Sequence, residues 1–461
     1  MNKFKTDWLA SEPVFYNQLT KKISHNINDV IDFKNIEFHP EGLSNFLDFG
    51  YSVFGQTSLK HVKFLRHSSE IFIKNGKLNI IEHPDPVDEW FRKHPKYSDE
   101  DEVLDLIKKK IQLWESKTTG PIIIPTSGGF DSRLLNFFVK DKSRIRAFTY
   151  GISPKQPESY EVVYAKALCQ KFDIKWNQIE LGDQHRYFAV WDRLFGISTH
   201  AHGMYHIEFY HKILDQFPDL SGCNFLSGII GDGWAGGIEF KSIDSANLSD
   251  LGYTHGLHAD SSFSKFITSR EILNSFFRNN QINHKNLQIV NVLRIKMILL
   301  SYLLKLPSHF GFKVWSPYLD MDIALGMLNL PPERRKNRQW QVDFFKRKGI
   351  YFEDKIAAPN KLNNLNHQAL RKIPIEPLNT EYLLDIIDPE YIRDINKKLK
   401  EPTLLNRMIP AIFNLPLHPW LISKIMGGFK KVGIKDNILK SYYAYLTLKP
   451  IENVIKKSKH K

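Results

Sequence analysis

The run Thr126-Ser127-Gly128-Gly129-Phe130-Asp131-Ser132 holds groups that could grip an oxyanion. Adjacent glycines let backbone N–H groups approach phosphate without a Cβ in the way, Ser127 and Ser132 offer hydroxyls, and a helix beginning beyond them supplies free N–H groups and a positive dipole end. Asp131 is the odd member. Phosphate repels a carboxylate unless a divalent cation lies between them, which makes Asp131 a candidate Mg2+ ligand whose partners are phosphate oxygens and water. An ordinary surface turn is the competing reading. A second glycine-rich run, Leu226-Ser227-Gly228-Ile229-Ile230-Gly231-Asp232-Gly233-Trp234-Ala235-Gly236-Gly237, carries another isolated aspartate, for which the alternative is a turn residue capping the following segment.

These loops need a scaffold that brings them together. The apolar stretch 121–125 precedes the first loop and Arg133-Leu134-Leu135-Asn136-Phe137-Phe138 follows it, which reads as strand, loop, helix. Apolar runs at 122–124, 145–150, 176–181 and 223–226 alternate with helical patterns, the signature of a parallel sheet built from βαβ units. The expected fold class is therefore α/β, a parallel sheet with flanking helices, with its ligand at the carboxyl ends of the strands. Upstream, Asn75-Gly76 between two apolar runs predicts a tight hairpin. Beyond 240 the pattern is mainly helical, with Gly and Ser across 241–265 suggesting a loop or cover.

The first loop and its context resemble the ATP pyrophosphatase (PP-loop) group of adenylating enzymes, more closely the synthetase domain of asparagine synthetases. Arg144-Ile145-Arg146-Ala147-Phe148-Thr149-Tyr150-Gly151 is similar to that family's second strand, and Glu161-Val162-Val163-Tyr164-Ala165 to its Glu-x-x-Tyr-Ala. The second glycine-rich run resembles its Leu-Ser-Gly-Glu-Gly-x-Asp-Glu-x-x-Gly-Gly loop, while Ser316-Pro317-Tyr318-Leu319-Asp320 and Leu330-Pro331-Pro332-Glu333 resemble two later blocks. The matches span roughly residues 116 to 350. The resemblance implies an adenine nucleotide alpha hydrolase-like fold, ATP and Mg2+ as cofactors, Asp131 and Asp232 as metal ligands, and Ser127, Gly128, Gly129, Asp131, Ser132, Tyr150, Gly151, Ser227 and Gly228 around the nucleotide. Asp131 and Asp232 thereby become candidate catalytic groups. Arg338, in the basic stretch Arg334-Arg335-Lys336-Asn337-Arg338, falls where the family places a polyphosphate-contacting lysine; a solvated helix face explains the neighbouring charges equally well.

Two departures matter. Where the family carries glutamates in the second loop, this chain has Ile229 and Gly233, so the acceptor chemistry must differ. Asn2 stands where the glutaminase domain of the family has its nucleophilic cysteine. The expected division is a truncated N-terminal β-containing module over 1–115, an ATP-binding domain over 116–350 and a mainly helical C-terminal extension over 351–461. The activity implied is an AMP-forming amide ligase that adenylates a carboxylate and transfers it to ammonia or an amine, supplied where needed by a separate glutaminase subunit. A sugar acid of a surface polysaccharide, or a peptide, is the substrate suggested by family analogy. Ring-forming macrolactam or β-lactam synthesis, RNA-modifying adenylation and an inactive nucleotide-binding scaffold are the competing functions.

Composition narrows these choices. A chain of 461 residues, 42% apolar and 25% charged, can bury a sizeable core. Only Cys169 and Cys223 are present, which excludes disulfide scaffolds and thiolate zinc sites and makes a reducing cytoplasm the default. With 64 Lys plus Arg against 50 Asp plus Glu, the net charge of +14 suits anionic partners, nucleic acid being the less favoured of them. The basic tail Lys456-Lys457-Ser458-Lys459-His460-Lys461 reads as a solvated end. His202 and His206 have the i, i+4 spacing of a metal pair on one helix face, although no accompanying glutamate completes a zinc motif and a polar patch near the acceptor pocket is the favoured reading.

Overall fold

The computed structural model describes residues 3–238, 243, 258–279, 287–354, 356, 360–400, 421, 424–425, 427–428 and 437–460. Most of the expected cover over 241–265 lies outside the described residues.

The strands of the described residues, in chain order, are β1 (Lys3–Lys5), β2 (Phe15–Asn17), β3 (Ile23–Ser24), β4 (Val62–Phe64), β5 (Ser69–Lys74), β6 (Lys77–Glu82), β7 (Ile122–Pro125), β8 (Ile145–Thr149), β9 (Lys175–Gln178), β10 (Asn224–Leu226) and β11 (Lys313–Trp315). The last five form one sheet in the order β11-β10-β7-β8-β9, with every pairing parallel. The chain steps from β7 to β8 and β9 in one direction, then crosses back to place β10 on the other side of β7. Strand order therefore reverses between β7 and β10, and the loops leaving those two strands diverge to open a crevice at the carboxyl edge.

Alternation along the strands explains why both faces are covered. Ile122 and Ile124 join one core cluster while Ile123 between them joins the other; in the same way Leu226 and Phe225 divide between the two. On one face lie helices Glu100–Ser116, Phe130–Phe138, Tyr160–Lys171, Met321–Leu328 and Gln339–Arg347, contributing Ile107, Leu134, Leu168, Leu325 and Phe344. The other face is packed by Met204–Gln216 and by the C-terminal helix Asn437–Lys459 through residues such as Phe209, Tyr442 and Ile451.

The expected hairpin is β5–β6, with Asn75 and Gly76 at φ 52° and 69° in its two-residue turn. β1 extends it to three strands, and β3-β2-β4 form a second small antiparallel sheet. These N-terminal elements do not stand apart. Leu43, Phe46 and Phe49 of helix Pro40–Phe49 share a core with Phe148 and Phe209, and the Arg294 guanidinium donates to the Trp8 carbonyl and pairs with Asp85 at 2.6 Å. Helix Glu100–Ser116, within the expected 1–115 module, packs as part of the helical layer over the main sheet.

At the other end, the basic tail exposes Lys456, Lys459 and His460 as expected of a solvated end, but through Lys459 it is the last turn of helix Asn437–Lys459, with Lys457 paired to Asp192 at 2.6 Å. Ile451 and Val454 on the same helix are buried, so its inner face anchors the tail. Among the described residues no helix is long and apolar enough to cross a membrane.

Candidate functional site

The first loop leaves β7 under tight constraint. The Thr126 N–H donates to the Phe148 carbonyl at 2.8 Å, prolonging the β7–β8 pairing by one residue, and Asn136 Nδ2 donates to Thr126 Oγ1 at 2.9 Å. Gly128 then turns at φ 68°, and a Cβ there would lie 2.4 Å from Tyr164 Cβ, so only glycine lets the loop rest on helix Tyr160–Lys171. Beneath it Arg133 is fully buried; its Nη2 donates to the Gly128 carbonyl at 2.6 Å and pairs with Glu353 at 2.9 Å, among the rings of Phe130, Phe345 and Phe352. Because Gly129 caps helix Phe130–Phe138 without a side-chain acceptor, the first-turn N–H groups remain available at the crevice.

The second loop is held from both sides of its short helix Gly231–Ala235. Trp234 Nε1 donates to the Tyr318 carbonyl at 3.0 Å, and Trp340 Nε1 donates to the Ala235 carbonyl at 3.0 Å. Ile230 precedes this helix at φ 55°, a left-handed conformation that a β-branched residue adopts only when its surroundings impose it. That bend sets Gly231 against the first loop: a Cβ on Gly231 would fall 2.8 Å from Asp131 Cγ. The Tyr318 hydroxyl donates to the Asp131 carbonyl at 3.2 Å, fixing the same junction from a third element.

One cavity of about 500 Å3 occupies the crevice, and Ser127, Gly129, Asp131, Ser132, Tyr150, Ser227, Gly228, Asp232 and Arg338 all line it. Gly128 and Gly151 do not. Gly128 faces helix Tyr160–Lys171, and a Cβ on Gly151 would strike the Gln156 carbonyl at 2.2 Å, so both serve backbone packing beneath the site.

Arg338 reaches both acids, 3.6 Å from Asp131 Oδ1 and 3.8 Å from Asp232 Oδ2. Its direction follows from Asn337 and Arg338 both taking left-handed backbone, at φ 51° and 54°, which breaks the helix before Gln339–Arg347 and turns the guanidinium inward. Its basic neighbours have other tasks: Arg334 pairs with Glu100 and Asp343, and Lys346 and Arg347 lie 3.7 Å and 3.6 Å from Asp354 and Asp101.

The two acids differ in environment. Burial pushes the Asp131 carboxyl up to about 7; Arg338 opposes that rise and Asp232 adds to it. Asp131 Oδ1 is buried with no hydrogen-bond partner, whereas half of the Asp232 side chain is exposed. A buried oxygen lacking a hydrogen-bond donor and a second carboxylate lining the same cavity fit Mg2+, which binds through one or two carboxylates together with phosphates and water; Arg338, near both acids, offsets part of their charge. Among the described residues no three His, Cys, Asp or Glu side chains cluster as a metal site.

His202 and His206 do not share a helix face as their spacing suggested, because the helix starts only at Met204 and His202 lies in the preceding turn Ala201–Gly203. His206 lines the crevice cavity and His202 lines a second cavity beside it. The two departures in the second loop have packing explanations: Ile229 is buried in the core, and a Cβ on Gly233 would meet Leu293 at 3.1 Å. Asp320 is similarly structural, accepting from the Asp322 and Ile323 N–H groups and pairing with Lys110 at 2.7 Å.

One cavity-lining carboxylate and one buried cation beside the site were not singled out from the sequence. Glu161, at the start of helix Tyr160–Lys171, lines the cavity with Oε2 buried and without a hydrogen-bond partner. Lys296, on helix Gln288–Leu300, is buried near Asp232; burial holds its ammonium down to about 8 and the Asp232 carboxylate opposes the fall. Glu161 was visible as part of a motif. Nothing local distinguished Lys296 from other lysines. No protein-family model matches this chain, and no curated protein matches it.

Proposed function

We propose that this protein is an ATP-dependent, AMP-forming amide ligase of the asparagine synthetase-like ATP pyrophosphatase type, on an adenine nucleotide alpha hydrolase-like fold. The observation that carries the reading is the convergence of Asp131 and Asp232, from loops on opposite sides of a strand-order reversal, on one cavity with Arg338 between them. The uncapped start of helix Phe130–Phe138 and the Ser127 and Ser132 hydroxyls bind the polyphosphate. Asp131 and Asp232 hold Mg2+, which when bound neutralises charge on the pyrophosphate leaving group. Arg338 and the loop N–H groups provide preorganised donors for the same charge.

In this scheme a substrate carboxylate oxygen attacks the α-phosphorus, the bond to the β-phosphate oxygen breaks, and pyrophosphate leaves. An amine nitrogen then displaces AMP from the acyl carbon. Tyr150, Phe209, Tyr210 and Phe225 make the inner wall aromatic, which suits shielding of an acyl-adenylate from water. The test is carboxylate-dependent exchange of labelled pyrophosphate into ATP. An acid that drives exchange supports adenylation; ATP binding without exchange across aspartate, glutamate, glucuronate, galacturonate and small peptides would contradict it.

A further inference from the structure

Behind the crevice lies a second cavity of about 460 Å3, and Tyr150, Ile152 and Glu161 belong to the walls of both. Its far side is made by the segment after Asn360 and by the C-terminal helix, through Asn363, Asn366, His367 and Tyr443, with His202 beside them. The segment is fixed to the nucleotide-binding half: the Tyr160 N–H donates to the Asn360 carbonyl at 2.9 Å, the Asn364 N–H to the Ile152 carbonyl at 2.8 Å, and Gln184 Nε2 to Asn366 Oδ1 at 2.8 Å. Among the described residues no Lys, Arg or Asp lines this chamber; its polar lining is amide, imidazole and phenol groups around a single carboxylate, with Ile152, Leu365 and Leu439 between them.

Resting on the ligase reading above, we propose that this second chamber receives the nucleophile, a primary amine bearing hydrogen-bonding substituents, and that Glu161 is the general base for its attack. Glu161 is 7% exposed, yet its Oε2 has no partner, an arrangement that is costly unless a donor arrives there. An amine N–H is such a donor. The volume favours an amine over free ammonia, because a molecule of ammonia's size needs only about 30 Å3. The position also fits the departures at Ile229 and Gly233: with no carboxylate at those two positions and Asp232 assigned to the metal, the base comes from the opposite wall.

In the proposed step the amine lone pair forms the C–N bond to the acyl carbon, and the C–O bond to AMP breaks with its electron pair leaving on the phosphate. The proton lost by nitrogen passes to Glu161 Oε2 and then to solvent. Tyr160 and Tyr150 interact with this carboxylate directly, and the other titratable groups lining the two chambers are His202, His206, His367, Tyr205, Tyr210, Tyr443, Asp131, Asp232 and Arg338. Burial raises the Glu161 carboxyl to about 7, while its own backbone N–H and then the Tyr160 hydroxyl oppose that rise, which poises the group near neutral pH.

The experiment compares the full-length parent with Glu161→Gln in two assays, using whichever acid drives exchange. Labelled pyrophosphate exchange reads adenylation; amide formation with ethanolamine reads transfer, and hydroxylamine serves as a strong nucleophile that needs little base assistance. The ratio of ethanolamide formation to exchange should fall about a hundredfold in E161Q, with hydroxamate formation much less affected. An unchanged ratio, or joint loss of exchange and transfer, would overturn the role of Glu161. Amide formation by the parent with ammonium but not with ethanolamine would overturn the chamber's amine preference. Absence of exchange in the parent would instead remove the ligase reading itself.

Discussion

The two strand-end loops carry one aspartate each, but they hold it in opposite ways. The β7 loop is braced by Arg133 beneath it and holds Asp131, 18% exposed, at the start of a nine-residue helix with Oδ1 buried and without a hydrogen-bond donor. The β10 loop bends through the left-handed Ile230 and presents Asp232 half exposed from a five-residue helix. Burial makes a carboxylate depend on a neighbouring cation, whereas exposure lets water substitute for one. On the proposed reading Asp131 is thus the acid whose ionised state calls for a cation, and Asp232 would be an adjustable second ligand.

The strongest challenge to this asymmetry is a pair of isosteric changes. Asp131→Asn should lower acid-dependent exchange by about a hundredfold or more, and Asp232→Asn by roughly tenfold, partly restored by excess Mg2+. Equal losses, or the reverse order, would contradict it. A smaller effect is expected in pH-dependent stability of metal-free protein. Because the folded state raises Asp131 from 3.8 to about 7, it keeps a proton that the unfolded chain gives up, so stability present below pH 4 is lost as pH rises through about 7. Glu161 adds to the same trend. D131N should flatten this fall and gain up to a few kcal/mol relative to the parent at pH 8, read from denaturant midpoints at pH 5 and 8. A parallel pH profile would show that the buried carboxylate is already compensated.

Adjacent glycines sharpen the comparison within the first loop. Gly128→Ala should cost about 1–3 kcal/mol, since its Cβ would press on Tyr164 and its φ is positive. Gly129→Ala should cost under about 1 kcal/mol, because its Cβ would meet only Ser127 Oγ, at 3.1 Å. The smallest effect belongs to the tail: Lys457→Ala removes one partly exposed ion pair to Asp192 and should change stability by under about 1 kcal/mol, checked by thermal melting.

The legible parts of the site were those written locally. Serine, glycine and aspartate between an apolar run and a helical pattern report a strand-end loop, and strands β7, β8, β9 and β10 follow the apolar runs within a few residues. β11 was harder to read as a strand, with only Lys313, Val314 and Trp315 paired to β10. Arg338 was found by motif, but its aim depends on two consecutive left-handed residues that no nearby glycine announces. Lys296 and the wall containing Asn363 and Tyr443 reach the site only through tertiary packing. A boundary at 350 also hides how Tyr442 and Ile451 complete the core of the parallel-sheet half.

ATP binding by the parent and D131N, followed by calorimetric titration at neutral pH with and without Mg2+, tests the shared grip of the two loops most directly. The account predicts Mg2+-dependent binding in the parent and at least a tenfold weaker, largely Mg2+-independent association in D131N. Equal affinity for ATP in both proteins, unaffected by Mg2+, would contradict it.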